Sequence, residues 1–256
     1  MTKRSNWSIQ YLVFMAVFVV LPLILVALYA FQDGEGRFTL ANITRFFGDK
    51  DALSTFALSL EVAIENTLIC ILLGYPAAWI LANRKFNSSA VTVVLFLMPM
   101  WINALMRTLA TAELFNMLGF SLGKGTLLFG MVYDYLPFMI YPIYNILMKI
   151  DRSYSEAAED LGATPWRVFW KITVPLSLPG AMSGVLMVFM PTVSTFAISE
   201  FLTNNKIKLF GTIIQENINS SMWNYGAALA FIMLVIIGIT SLFGGKDNVQ
   251  AEGGLI

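Results

Sequence analysis

Apolar residues run along this chain in blocks too long and too continuous for the interior of a soluble domain. A hydrocarbon layer about 30 Å thick is crossed by roughly 20 residues of helix. Segments 9–31, 59–82, 90–112, 127–148, 181–202 and 223–243 meet that length. The pattern predicts an all-α polytopic membrane protein with six transmembrane helices. No solenoid-type repeat or low-complexity linker divides it, so a single transmembrane domain over 1–256 is expected. The block 59–82 is the least apolar, because Glu61 and Glu65 share one face of its first two turns. They read as the point where the helix enters the interface. Proline recurs inside the blocks, at Pro22, Pro76, Pro99, Pro137, Pro142 and Pro191. In water most of these would break a helix. In a bundle, neighbouring helices satisfy the freed carbonyls and kinked spans survive.

The opening stretch MTKRSNWS is basic, and the apolar run behind it continues to Phe31. A removed signal peptide has a shorter core and small residues at a cleavage site. The first block therefore reads as a retained signal anchor. Lysine and arginine in short loops set orientation. Lys3 and Arg4 flank the first block, and Arg84 and Lys85 supply the charge of a very short loop. Both put that side in the cytoplasm, with a slight excess of positive charge there. Six spans then place both termini inside, together with the polar segment 149–180.

That segment is the least expected part of the pattern. It holds Glu156-Ala157-Ala158, then Gly162 after three residues, then Ile172-Thr173-Val174-Pro175 after nine more. Ser155 followed by acids reads as a helix start. Gly162 ends or bends that helix, and Ala163-Thr164-Pro165 begins another. Ala157, Ala158, Leu161 and Ala163 offer a small face that lets another protein approach closely. Trp166, Phe169 and Trp170 suit the membrane interface. Pro175 and Pro179 are placed to set the angle of re-entry into the fifth span. The plainer reading is an amphipathic connector lying on the inner leaflet. On the outer side, apolar residues at 38, 40, 43, 46 and 47 have nearly helical spacing, as for a short helix on the membrane or against a partner.

Composition agrees with the pattern. Hydrophobic residues make up 57% and charged residues 12%, about half the charge of a soluble domain. Net charge is zero, which argues against nucleic acid. The chain has no histidine, and its one cysteine, Cys70, lies in an apolar run. No internal disulfide or Cys/His metal site can be built, and histidine acid–base chemistry is excluded.

The spacing in 149–180 resembles the E-A-A-x3-G-x9-I-x-L-P signature of importer-type ABC permeases, with Val174 where that family usually has Leu. Further stretches resemble the spermidine/putrescine (polyamine) branch, first permease subunit type. They are Gly74-Tyr75-Pro76-Ala77-Ala78-Trp79, Pro99-Met100-Trp101-Ile102-Asn103-Ala104-Leu105-Met106-Arg107, Leu136-Pro137-Phe138-Met139 with Pro142-Ile143-Tyr144, and Asn224-Tyr225-Gly226-Ala227-Ala228. Iron and other small-solute permeases share parts of these. The resemblance implies half of a membrane pore, completed by a second homologous permease. It also implies two copies of a cytoplasmic ATPase docked on Glu156, Ala157, Ala158, Gly162, Ile172 and Pro175, and an extracytoplasmic solute-binding protein. The implied location is the bacterial cytoplasmic membrane. There is no G-x-x-x-x-G-K-[ST] phosphate loop, so ATP and Mg would be held by the partner ATPase, and this chain itself needs no cofactor.

An ionisable group in the bilayer costs roughly 2.5–3.5 kcal/mol on insertion scales, which makes each one a candidate site. The expected substrate path holds Trp101, Asn103, Arg107, Glu113, Asp134, Tyr135, Glu200 and Trp223. Carboxylates and aromatic faces suit a multivalent amine; an anion importer would show more arginine. The competing reading pairs these acids with Arg107 or with the partner subunit. Another small solute, such as iron, an amino acid or another cation, is the alternative cargo. An intramembrane hydrolase using Glu61 and Glu65 lacks a second catalytic group, and a passive channel would not need the polar loop.

Overall fold

The computed structural model describes residues 6–83 and 90–253, with side chains from Gln10 to Asn83 and from Val91 to Ser241. Lys3, Arg4, Arg84 and Lys85, which carry the orientation argument, lie outside the described residues. All regular elements among the described residues are helical.

Helices α1 (Asn6–Met15) and α2 (Leu21–Ala30) form one apolar rod, joined by a π turn at Ala16–Val20. The π turn directly precedes Pro22, which has no N–H to continue the ladder. Among its described side chains, from Gln10 on, nearly all are exposed and Ala30 alone is buried, as expected for a helix that faces lipid. The outer helix is real: α3 spans Ala41–Gly48. It packs against its own chain, with Phe46 buried and edge-on to Phe56 and Phe210.

Helix α4 runs from Lys50 to Ala82, capped by the Asp49 carboxylate, which accepts the N–H groups of Asp51 and Ala52 at 3.0 and 3.1 Å. Its 33 residues are about 50 Å long, well beyond the hydrocarbon layer. It therefore begins before residue 59, the start that hydropathy sets.

The third block departs from expectation. Instead of one span over 90–112, α5 (Ala90–Leu97) passes through a 3₁₀ turn at Met98–Trp101, and α6 (Ala104–Met117) leaves at 90°. Pro99 interrupts the ladder, and the Asn103 side chain accepts from Leu105 and Met106, which starts a new helix. Hydropathy falls from α5 to α6 but stays high enough for the two together to pass as one span, so composition alone reads straight through the break.

Helix α7 (Lys124–Lys149) keeps its course through Pro137 and Pro142. Next come α8 (Ser153–Asp160) and α9 (Pro165–Val168), then a π turn at Phe169–Thr173 and α10 (Val174–Ser194). The fifth span is thus Pro165–Ser194 rather than 181–202. It ends where Thr195 turns extended, and α11 (Ala197–Thr203), α12 (Phe210–Asn219) and α13 (Trp223–Gly253) follow. Among the described residues five helices are long and apolar enough to cross a membrane, and the count reaches six when the bent α5–α6 pair is taken as one broken span.

Helices α4, α7 and α10 pack together as the centre of the molecule. Small residues let them close up. A Cβ on Gly184 would lie 2.7 Å from the Met139 sulfur, and one on Gly180 would lie 2.8 Å from the Pro142 carbonyl oxygen. Asn66 donates to Thr192 at 2.8 Å, and the Tyr75 and Ser177 hydroxyls lie 2.6 Å apart. These bonds tie α4 to α10 at two levels.

Candidate functional site

The polar segment forms a helix–turn–helix held at both ends by local chemistry. Asp151 accepts the Ser153 N–H at 2.9 Å, so α8 begins two residues before Ser155, the expected cap. The carboxylate, placed one turn earlier, wins the start. Its hydrogen bonds to Ser153 hold the Asp151 carboxyl below its ordinary value of 3.8.

At the other end, Gly162 has φ of +80°. Its N–H donates to the Glu159 carbonyl at 2.9 Å, and the Ala163 N–H donates to the Ala158 carbonyl at 2.9 Å. This pair of bonds is a Schellman stop, which needs a left-handed residue. Thr164 then caps α9, with Pro165 at its first position. Glu156, Ala157 and Gly162 are exposed, Ala158 and Ile172 are half-buried, and Pro175 is exposed on the next helix.

Pro175 and Pro179 do not mark a re-entry angle. The π turn at Phe169–Thr173 precedes Pro175 at the start of α10, Pro179 lies inside α10, and α9 runs on into α10 as one rod. Phe169 fixes that rod, with its ring edge-on to Tyr75 and Trp79 of α4 at 5.9 and 5.4 Å. Trp166 and Trp170 stay largely exposed, and Leu161 at the turn is 90% exposed. The result is a rigid, apolar-tipped knob.

In the membrane the structure brings two of the expected path residues together. Arg107 on α6 and Asp134 on α7 are 7% and 2% exposed, and Arg107 Nε lies 3.3 Å from Asp134 Oδ1. The Thr108 hydroxyl donates to Asp134 Oδ2 at 3.1 Å. Tyr135 is half-buried and packs in both of the apolar clusters that flank α7. Glu200 is half-buried in the first turn of α11, which packs on α6 and α7. Trp101 is 78% exposed beside the bend, Asn103 caps α6, and Glu113 is exposed further along it. Trp223 opens α13, whose packing partners are α2, α3, α10 and α12.

One cluster escaped sequence reasoning. Lys124 at the start of α7 bridges Glu61 and Glu65 of α4 at 2.7 and 2.9 Å. The acids that read as an interfacial start are partners of a cation 59 and 63 residues away. The available signal was a carboxylate pair on one helical face facing the same side as a lone lysine.

A bundle of membrane-spanning helices, a polar helical knob and a buried charge pair between α6 and α7 agree with the membrane-spanning permease of an ABC importer. The chain belongs to the family described as the binding-protein-dependent transport system inner membrane component, whose model matches residues 51–250. It is a multi-pass protein of the cytoplasmic membrane, and a transport subunit rather than an enzyme. It is 31% identical over 252 residues to the spermidine/putrescine transport system permease protein PotB of Escherichia coli (strain K12), covering 89% of this chain and 91% of that one. The putrescine transport system permease protein PotI of the same strain is 27% identical, covering 97% and 93%. Among solved structures, a bacterial ABC transporter that imports the acidic polysaccharide alginate matches with a TM-score of 0.70 at 18% identity, covering 96% of this chain and 98% of that one. The MetNI methionine ABC transporter matches with a TM-score of 0.61 at 15% identity, covering 77% and 94%. These two share the fold.

Proposed function

We propose that this chain is a permease subunit of an ATP-driven importer for polyamines such as spermidine and putrescine. Its single transmembrane domain forms half of the pore beside a second, homologous permease. The observation that carries the reading is similarity over nearly the whole chain to a permease named for spermidine and putrescine. A buried carboxylate, Asp134, whose present partner is a cation lying over the Tyr133 ring, agrees with a cationic solute. An inside-negative potential favours cation import by about 2.3 kcal/mol per charge per 100 mV, so the path need not bind tightly.

Two copies of a cytoplasmic ATPase, which holds ATP and Mg, dock on the two permeases. On this chain the knob α8–α9 is the docking element, and an extracytoplasmic binding protein delivers the solute. The knob and both termini then face the cytoplasm. Exposed Leu161 and Trp166 on a stiff turn are suited to a cleft in another protein. Removing this chain from its host should abolish uptake of labelled spermidine and putrescine, and re-expression should restore it. Undiminished uptake without the chain would refute the reading.

A further inference from the structure

The charge pair between α6 and α7 is held poorly for a pair so deeply buried. Asp134 is about 15 Å along α7 from Lys124, half the thickness of the hydrocarbon layer. Although Arg107 Nε and Asp134 Oδ1 are 3.3 Å apart, neither atom makes a directed hydrogen bond, and Arg107 Nη1 also lacks a partner. A buried ion pair that serves stability needs good geometry and satisfied leftover donors. This one has neither, and buried polar atoms left unpaired call for a reason.

The surroundings supply one. The guanidinium lies 5.6 Å from the centroid of the Tyr133 ring. A carboxylate on one side and a π face on the other is the setting in which a cation is received. Next to it opens a cavity of about 510 Å3, walled by Arg107, Tyr133, Phe129, Met106, Leu114 and Ile102. Asp134 does not reach that wall; Arg107 stands on it instead.

We propose that Arg107 is a tethered stand-in for the transported cation: it occupies the Asp134 carboxylate and the Tyr133 face in the empty permease, and an ammonium group entering the cavity displaces it and takes both. The proposal rests on the cationic-solute reading above. Guanidinium and alkylammonium are both donor-only cations. The ammonium is compact, with three donors that turn freely, and it can reach Oδ1, which the planar guanidinium leaves without a directed bond. The exchange never leaves the carboxylate bare, because one cation departs only as another arrives. The resting pore is then closed to solute by the protein's own charge.

The test uses the assembled transporter in membranes. Cys70 is the chain's one cysteine and is buried, so Arg107→Cys with Cys70→Ser leaves a single thiol at the cavity. Its reaction rates with 2-aminoethyl methanethiosulfonate (cationic) and methyl methanethiosulfonate (neutral) are each divided by the rate of free cysteine. The cationic reagent should be favoured about fivefold or more, the factor one opposite charge about 4 Å away confers even in water. Adding Asp134→Asn should erase that preference. Equal normalised rates, or a preference that survives Asp134→Asn, would overturn the proposal. In the charge swap, Arg107→Asp with Asp134→Arg, the protein should accumulate without importing spermidine; parental uptake would mean that the pair is only structural. If the unmodified transporter imports no polyamine while the Asp134-dependent preference stands, the solute reading fails and the exchange site survives.

Discussion

Replacing Gly162 separates two reasons for a glycine in the α8–α9 knob, the element proposed to dock the ATPase. The residue holds φ of +80°, and a Cβ added there would meet nothing within 4 Å. Within this chain, any cost of substitution is therefore conformational rather than steric. For an alanine the left-handed region costs roughly 1–2 kcal/mol. That lowers the population of the stopped helix by roughly 5- to 30-fold. Two hydrogen bonds, from Gly162 and Ala163 to the Glu159 and Ala158 carbonyls, are lost when the turn opens. Asparagine tolerates the left-handed region far better and should keep the stop. Gly162→Asn should therefore stay close to the parental protein, Gly162→Ala should fall several-fold, and Gly162→Val, β-branched, should fall further. The assay is the amount of ATPase retained on the purified permease pair, followed by transport in vesicles, with membrane accumulation as the control. Parental retention by Gly162→Val would refute the backbone argument. Loss with Gly162→Asn equal to that with Gly162→Val would also refute it, because the partner's cleft rather than φ would then exclude a side chain.

Gly180→Val should destabilise the purified protein by about 1–3 kcal/mol, the usual range for overpacking. Even its Cβ would sit 2.8 Å from the Pro142 carbonyl oxygen, and an unchanged melting temperature in detergent would count against the close α7–α10 approach. Asp151 should stabilise the start of α8 fully above pH 3.8 and lose that effect only as pH falls through its lowered folded value. ATPase retention should therefore be insensitive to this group between about pH 5 and 8, while Asp151→Ala weakens retention across that whole window; a step in the parental profile that Asp151→Ala removes would contradict the assignment.

Span number and class were legible from hydropathy because the membrane's demand is compositional: enough apolar residues in a row, with every backbone group satisfied inside its own helix. The knob was legible because its turn chemistry is local. Gly162 must adopt a conformation few residues accept, and Thr164-Pro165 suits the cap and first position of a helix. The errors have one cause. The 90° bend at Asn103 and the early start of the fifth span at Pro165 turn on which donor a carbonyl finds next. Hydropathy carries no record of that choice.

By itself the sequence determined a bundle of membrane-spanning helices, a polar helical segment between two of them and the residues able to carry charge in the bilayer. These follow from composition, from turn chemistry within a few residues, and from motif spacing. Only the tertiary structure decided which charges meet. Arg107 and Asp134 are 27 residues apart, and Lys124 reaches back to Glu61 and Glu65 across 59 residues or more. In hydrocarbon an unpaired charge is costly, so a charge buried there gains by finding a partner. Which partner it finds is set by the packing of α4, α6 and α7, and that depends on small residues and bends whose effect appears only when the helices come together.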